Sequence, residues 1–486
     1  MGALIAVVNK KGEDATNTAV TMLSALSSAT TDAFAIASPL RVKSERSIDS
    51  LRQLRLDSNI IIGYRYPADL QSERQQPIML KRAAMIFEGR IYYTNKIFKI
   101  EPFAIDLQEH GKEAARSFVN KIFGDYAFVL AEPAGVIAGR DAVGVCPLYY
   151  GENEGFAALA SERKALWNVG IGKSYSFPPG HVAVVDRENF RLEPVKILSY
   201  SGPKQITMSE AARKLETLLR RSVAQRVSSL KEVAVAFSGG LDSSIIALIA
   251  KKKRCSVQLI HVSLEHQKET EDAKKAAETL KLPIQIRLFK EEDVLEYLQK
   301  VLWLVEEADP VQTEIGIPIY WAAEQAAETG FKAMLAGQGA DELFGGYRRY
   351  VDDYSLGGEE RVRKKLFNDI VEIYKNNLER DSKICSFHNV ELRLPFATFE
   401  LAKFAAALPV NLKISPEKDS MRKLVLRKVA ENVGLPEAIS KKPKKAVQYT
   451  TGVNKALKKM AKRQGVSVRT FLQKTFNRIF EEAPLK

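Results

Sequence analysis

Cysteine is scarce in this chain of 486 residues: Cys146, Cys255 and Cys385 complete the set and stand far apart. That separation excludes a CxxC-type zinc or redox motif and disfavours a disulfide framework. Long apolar runs are missing as well. The longest, such as residues 245–250, fall far short of the roughly 20 residues a membrane-spanning helix needs. No N-terminal stretch combines a basic start, an apolar segment and a small-residue cleavage site, so no export signal is expected and the cytosol is the expected compartment. Internal repeats and low-complexity tracts are lacking too. Hydrophobic residues at 45% and charged residues at 27% suit a soluble globular chain of about two to four domains. Charge is the unusual bulk property: 73 basic against 59 acidic residues leave +14. Such a balance favours anionic partners, whether nucleotides, nucleic acid or acidic metabolites, without choosing among them.

The pattern changes near residue 200. Before it, short β-type runs alternate with turn signals at residues 3–8, 90–93, 126–131, 135–138, 156–161 and 181–186, and a single helix is predicted over 17–29. The stretch Ser199-Tyr-Ser-Gly-Pro-Lys-Gln-Ile-Thr207 clusters Ser, Gly and Pro and reads as a linker. After it, strands predicted at 233–237, 257–262, 284–289 and 333–336 alternate with helices at 242–252, 271–280, 291–307 and 318–329. Repeated β-α units predict a parallel sheet covered by helices. Beyond about residue 359 nearly everything looks helical.

The stretch that carries chemistry is Phe237-Ser-Gly-Gly-Leu-Asp-Ser-Ser244, which follows a strand and opens a helix. Gly239 and Gly240 let the backbone approach an anion, Ser238, Ser243 and Ser244 add hydroxyl donors, and the helix start supplies free N–H groups and positive dipole character. The device suits a phosphate or pyrophosphate. It is not the Walker pattern, because no Gly-Lys-Ser/Thr follows. Lys251, Lys252 and Lys253 fall at the opposite, negative end of the same helix. A second glycine-rich stretch, Leu335-Ala-Gly-Gln-Gly-Ala-Asp-Glu-Leu-Phe-Gly-Gly-Tyr347, allows a tight loop after a strand, and Asp341 and Glu342 supply hard oxygen ligands suited to Mg²⁺.

Ser-Gly-Gly-Leu-Asp-Ser resembles the pyrophosphate loop of N-type ATP pyrophosphatases. The second stretch, and Glu391-Leu-Arg-Leu-Pro-Phe396, resemble blocks of the glutamine-hydrolysing asparagine synthetases. Further blocks resemble the class II glutamine amidotransferase domain of that family: Gly124-Asp-Tyr-Ala-Phe128, Gly139-Arg-Asp141, Gly144-Val-Cys-Pro-Leu-Tyr149, Ser161-Glu-Arg-Lys-Ala165 and Phe177-Pro-Pro-Gly-His181. The resemblance spans nearly the whole chain in the family's block order. It implies an αββα Ntn-hydrolase-like sandwich over 1–198. An adenine-nucleotide α-hydrolase-like ATP pyrophosphatase domain, with a parallel sheet and a helical C-terminal part, would follow over 207–486. It also implies ATP with Mg²⁺ on Asp242 and Asp341, Val262 and Gly337 lining the adenine and ribose region, and a catalytic lysine in Lys441-Lys-Pro-Lys-Lys-Ala-Val-Gln-Tyr449. Lys444 is the best match and Lys445 the fallback. Family members often dimerise, so a homodimer is implied.

The glutaminase half departs from the family. Its nucleophile is a cysteine at residue 2, and here residue 2 is Gly, which has no thiol. Phe87-Glu-Gly-Arg-Ile-Tyr92 stands where the family reads Asn-Gly-Glu. Glu88 thus replaces the oxyanion donor with a carboxylate that would repel developing negative charge, and Arg90 replaces the Glu that holds the glutamine amine. The glutamine-binding Asp block has no counterpart between residues 100 and 124, Cys146 has no nearby His, and Arg65 is the surviving match for the carboxylate-binding arginine. The amidotransferase fold is expected to persist without glutaminase activity.

The expected reaction is ATP-dependent amide ligation. A carboxylate, by default aspartate, attacks the α-phosphate, pyrophosphate leaves into the 238–244 loop, and free ammonia, ammonia from a separate glutaminase or another amine attacks the acyl-adenylate. Glu314, in Thr313-Glu-Ile-Gly-Ile-Pro318, falls where some members have Arg, and Gln338 replaces a Glu found in some members; both leave the acceptor open. Two alternatives stand beside this. One is a tRNA-modifying enzyme of the same nucleotide-binding fold, for which only the 441–445 run and a basic amphipathic stretch at 454–474 speak. That stretch is read as a surface helix with Ala456, Leu457 and Met460 inward. The other is an ATP-binding paralogue without turnover, against which Asp242, Asp341, Glu342 and Lys444 argue.

Overall fold

The computed structural model describes residues 2–68, 76–92, 99–253, 255–415, 421–442 and 450–482. Two compact units divide the chain, one over residues 1–197 and the other beginning at Leu198, with the segment 386–389 and the last residues grouped with the first.

The first unit pairs two antiparallel sheets. One runs in the order β11 (Ser174–Ser176), β9 (Tyr149–Glu152), β10 (Phe156–Ala160), β1 (Ala3–Asn9), β4 (Ile60–Pro67), β2 (Asp32–Ala37), β3 (Val42–Glu45). The other runs β13 (Phe190–Pro194), β12 (His181–Val185), β8 (Gly135–Arg140), β7 (Gly124–Glu132), β6 (Ala84–Ile91), β5 (Ile78–Met79). Alternating side chains such as Leu4, Ala6 and Val8 meet Ile86, Ala127 and Val129 between the sheets. On the outer faces, helix α1 (Thr16–Ser24) covers Ile5 and Val7, and α3 (Ile100–Lys121) covers Met85, Phe87 and Leu130. Short helices α2 (Ile48–Arg52) and α4 (Arg163–Trp167) complete the αββα stack. The expected strands at 3–8, 126–131, 135–138, 156–161 and 181–186 are present. Residues 90–91 close β6, whereas 93 lies outside the described residues. The expectation of a single helix is corrected: α3 is a second, long one. Gly111, at φ 53°, kinks it and masks its 3.6-residue period, yet Phe103, Leu107, Ala115 and Phe118 share one buried face.

The second unit is built on a five-stranded parallel sheet in the order β16 (Ile284–Phe289), β15 (Ser256–Leu264), β14 (Glu232–Ala236), β17 (Ala333–Leu335), β18 (Glu391–Arg393). Helices α5 (Met208–Val227), α6 (Leu241–Lys251), α7 (Lys268–Leu280), α8 (Asp293–Val305) and α9 (Pro310–Glu328) cover it. After β17 come α10 (Ala340–Phe344), α11 (Arg348–Val371), α12 (Glu379–Phe387), α13 (Phe399–Ala406), α14 (Leu424–Val433), α15 (Glu437–Ser440), α16 (Val453–Arg463) and α17 (Val468–Glu482). A capping box at Thr207 and Glu210 starts α5 directly after the linker. Helix α9 begins eight residues before the expected 318, because Asp309 caps Val311 and Gln312 and Pro310 fits the first turn; Pro318 lies inside. In α16, Ala456 and Leu457 are buried and Met460 is half-buried, as the amphipathic reading requires.

Candidate active site

In the second unit, β14 ends at Ala236 and the chain turns through Ser238, Gly239 and Gly240 into α6, whose first residue follows an extended Gly240. The first-turn N–H groups of α6 therefore face the carboxyl edge of the sheet, the edge where open α/β sheets bind ligands. Ser238 is exposed, while Ser243 and Ser244 are buried, and the Ser244 hydroxyl has no hydrogen-bond partner in the structure. At the far end of α6, Lys251 donates to the Leu280 carbonyl at 2.7 Å and Lys252 to the Val433 carbonyl at 2.9 Å. These cations tie α6 to the ends of α7 and α14.

The second glycine-rich loop closes on the first. A Cβ on Gly337 would stand 2.9 Å from the Cβ of Asp242, so only glycine lets β17 deliver its loop this close. Asp341, in the first turn of α10, then shares a partner with Asp242: the Lys423 Nζ lies 2.7 Å from Asp242 and 2.8 Å from Asp341. Lys423 is 2% exposed and the two carboxylates 14% and 16%. The expected pair of cation ligands is thus brought together, on an ammonium ion. Gly346 is part of the same fit, since a Cβ there would meet Asp341 Oδ1 at 1.7 Å and Lys423 Cε at 2.3 Å. Glu342 is turned elsewhere. It is buried, accepts a hydrogen bond from the Tyr347 hydroxyl, and accepts another from Asn377 Nδ2 at 2.6 Å, which the π-helical turn Tyr374–Leu378 presents. Burial, and then the neighbouring Asp341, push the Glu342 carboxyl up, and burial pushes the Tyr347 phenol well up.

Lys423 is the residue of this cluster that the sequence did not single out. A bridge between Ile414 and Arg422, with Leu424 N–H on the Lys413 carbonyl at 2.9 Å, brings Lys423 in from far along the chain. Its backbone is left-handed, φ 60° and ψ 41°, an uncommon state for a side-chain-bearing residue. The one signal available was a broken local rule: a lysine directly before α14, where helices favour Ser, Thr, Asp or Asn and the dipole disfavours a cation. Lys413 is buried too, and burial pushes its ammonium down to about 7.

Lys444 and Lys445 lie outside the described residues. Their flanks do not. Lys442 pairs with Asp272 at 2.8 Å and its carbonyl accepts from Arg427, while the Thr451 carbonyl accepts from Leu264 N–H at 2.9 Å, at the carboxyl end of β15. Val262 is buried on β15. Glu314 is 6% exposed, accepts from Asn454 Nδ2 at 2.7 Å, and burial raises its carboxyl.

In the first unit, the positions expected from the resemblance to carry the glutaminase site are closely packed. The Tyr64 hydroxyl donates to Glu88, and a Cβ on Gly2 would stand 2.1 Å from that hydroxyl oxygen. The ring occupies the volume any nucleophilic side chain at residue 2 would need. Arg65 is 1% exposed and its Nη1 is taken by Asp32 at 3.1 Å. Cys146 is buried beside the Glu88 carbonyl, and burial with Asp141, Glu88 and Asp125 around it pushes its thiol well up, away from a nucleophilic thiolate. Arg90 lies opposite Asp125 on the neighbouring strand.

The site is a strand–loop–helix turn at the carboxyl edge of a parallel sheet, with Asp242 and Asp341 sharing the Lys423 ammonium beside it. The chain belongs to the asparagine synthase family, whose profile, described as Asparagine synthase, matches residues 214–357 and 353–481, more than half of the chain. A Glutamine amidotransferase domain profile matches residues 64–168. Over 396 residues the chain is 35% identical to a candidate glutamine-hydrolysing asparagine synthetase, number 1, of Methanocaldococcus jannaschii, covering 72% of this chain and 73% of that one. It is 26% identical over 403 residues to the glutamine-hydrolysing asparagine synthetase of Triphysaria versicolor, covering 77% and 67%. With that of Bos taurus it shares 26% identity over 416 residues, covering 76% and 73%. Family membership makes the chain an ATP-dependent amide ligase and a carbon–nitrogen ligase, and favours that reading over tRNA modification.

Proposed function

We propose that this ligase adenylates a carboxylate with release of pyrophosphate and then amidates it with ammonia or another amine, without hydrolysing glutamine itself. The observation that carries the reading is the convergence of Asp242 and Asp341 on one cationic centre beside the 238–244 loop. The donor set fits Mg²⁺, which takes one or two carboxylates and completes its shell with phosphate and water. When bound, the ion would be held by Asp242 and Asp341 and would neutralise charge on the pyrophosphate.

The chain's own residues account for the rest. The α6 N-terminus, Ser238 and Ser244 bind the β- and γ-phosphates, with Val262 and Gly337 beside the nucleoside. An oxygen of the acceptor carboxylate bonds to the α-phosphorus as the bridge to the β-phosphorus breaks. Lys423 and Lys444 supply positive charge where the leaving pyrophosphate and the α-phosphate gather negative charge. The amine then bonds to the acyl carbon, AMP leaves with its electron pair, and the ammonium product of that attack loses its proton. Glu342 serves by holding Tyr347 and Asn377 under the loop.

Aspartate is the default acceptor, with Glu314 marking where recognition of an acidic substrate departs from the family pattern. The nitrogen comes from free ammonia, an amine or a separate glutaminase, because Tyr64 fills the place of the nucleophile. No helix among the described residues is long and apolar enough to cross a membrane; a cytosolic homodimer is the proposed working form. Pyrophosphate release across a panel of carboxylates, with ammonium and with glutamine, tests the reading. Release with ammonium and one acceptor is expected; none with any acceptor and donor would overturn it.

A further inference from the structure

Behind the phosphate loop lies a buried hydrogen-bond chain that the reaction does not consume. His261 Nδ1 stands 2.9 Å from the carbonyl of Phe237, the residue before Ser238. The other ring nitrogen, Nε2, stands 3.4 Å from Thr270 Oγ1, which is 2.9 Å from Ser263 Oγ, and Ser263 Oγ is 3.0 Å from the Leu264 carbonyl. His261, Ser263 and Thr270 are all buried. Thr270 belongs to α7, which also presses on the loop: Gly239 has φ 65°, and a Cβ there would stand 2.9 Å from Ala273 Cα. Contacts at the corner between strand and loop thus include the His261 bond to the Phe237 carbonyl, the Phe237 N–H on the Ile260 carbonyl at 2.8 Å and the Gly239–Ala273 approach.

Counting hydrogens fixes the ring. A carbonyl only accepts, so Nδ1 carries a hydrogen. In the neutral ring Nε2 then accepts from the Thr270 hydroxyl, and the single Ser263 hydrogen serves either Thr270 Oγ1 or the Leu264 carbonyl. In the charged ring the order reverses, and Ser263 donates to the Leu264 carbonyl. Either way the Nδ1–H bond to Phe237 stays and the ring cannot turn without breaking the chain. Burial pushes the imidazole toward its neutral form, against the Glu269 carboxylate.

We propose that His261 is a positioning residue for nucleotide binding: its Nδ1–H holds the Phe237 carbonyl, and the Thr270–Ser263 relay holds the ring, so that Ser238 and the loop N–H groups face the phosphates. The inference rests on ATP binding at the loop and acts through it, since His261 touches no substrate.

The test compares His261→Ala with His261→Asn, whose amide keeps a donor near the Nδ1 position, in the full chain. Readouts are ATP binding by calorimetry, KM and kcat for pyrophosphate release, and Tm. His261→Ala should raise the ATP Kd and KM at least tenfold, while His261→Asn stays within about threefold of the parent. Should His261→Ala fail to fold, Thr270→Val, which cuts the relay, is expected to raise KM several-fold. If the wild type binds no ATP, the functional reading itself fails. If the wild type binds and the variants bind equally well, or His261→Asn loses as much affinity as His261→Ala, the positioning role is overturned alone.

Discussion

Replacing Lys423 by Met probes the cation centre without changing side-chain length much. The change leaves Asp242 and Asp341, 14% and 16% exposed, facing one another with their shared ammonium gone. Removing one partner from a buried charge cluster costs about 3–5 kcal/mol. At roughly 2–4 °C per kcal/mol for a unit of this size, Tm should fall by about 6–20 °C. The two carboxylates are then available to an ion, so millimolar Mg²⁺ without nucleotide should raise the variant's Tm by several degrees and the parent's far less. Pyrophosphate release should drop about 100-fold or more. Differential scanning fluorimetry across a magnesium series reads the first two effects. A variant as stable as its parent, or one indifferent to Mg²⁺, would refute the reasoning.

Gly346→Ala places a methyl 1.7 Å from Asp341 Oδ1 and 2.3 Å from Lys423 Cε, so both must move; a displacement of ~1 Å should cut pyrophosphate release about 100-fold, measured under saturating ATP. Gly2→Cys should restore no glutaminase, because the new side chain collides with Tyr64; glutamate production from glutamine is the assay, and a Tm lowered by a clash costing about 1–3 kcal/mol is the companion result. Lys413 gives a pH signature. Its folded pKa of about 7 lies below the ordinary 10.5, so unfolding takes up a proton between those values and stability should climb as pH rises through that window, by up to ~1.4 kcal/mol per pH unit. Lys413→Met should flatten that slope in chemical denaturation at pH 7, 8 and 9, and an unchanged slope would contradict it.

The strand–turn–helix at 237–244 was legible because its signals are local: two glycines, three serines and a helix start occupy eight consecutive positions. That Asp341 comes beside Asp242 followed from a second glycine-rich stretch of the same local kind. Lys423 was not legible, since it reaches the site from beyond the 413–424 bridge, and no spacing in the chain encodes a contact made at such a distance. Gly2 shows in the sequence that residue 2 carries no thiol, whereas the packing of the Tyr64 ring against it could not be read there. Tyr64 sits in the mostly apolar strand Ile60–Pro67, whose members, Arg65 included, are all buried, so nothing local sets its ring apart from core. Helix α3 was missed because Gly111 breaks its phase, and the start of α9 was displaced because Pro318, usually a helix-opening residue, lies in its interior. Asp341 and Glu342 looked equivalent as neighbours, and the roughly 100° between successive helical residues separates them: one faces Lys423, the other Tyr347 and Asn377.

The most direct measurement is a crystal structure of the chain with ATP and Mg²⁺ bound. The account predicts the β- and γ-phosphates on the N–H groups at the start of α6, with one metal ion touching both Asp242 and Asp341 and Lys423 moved onto a phosphate oxygen. Phosphates bound elsewhere, with Lys423 still clamped between the two carboxylates, would contradict it.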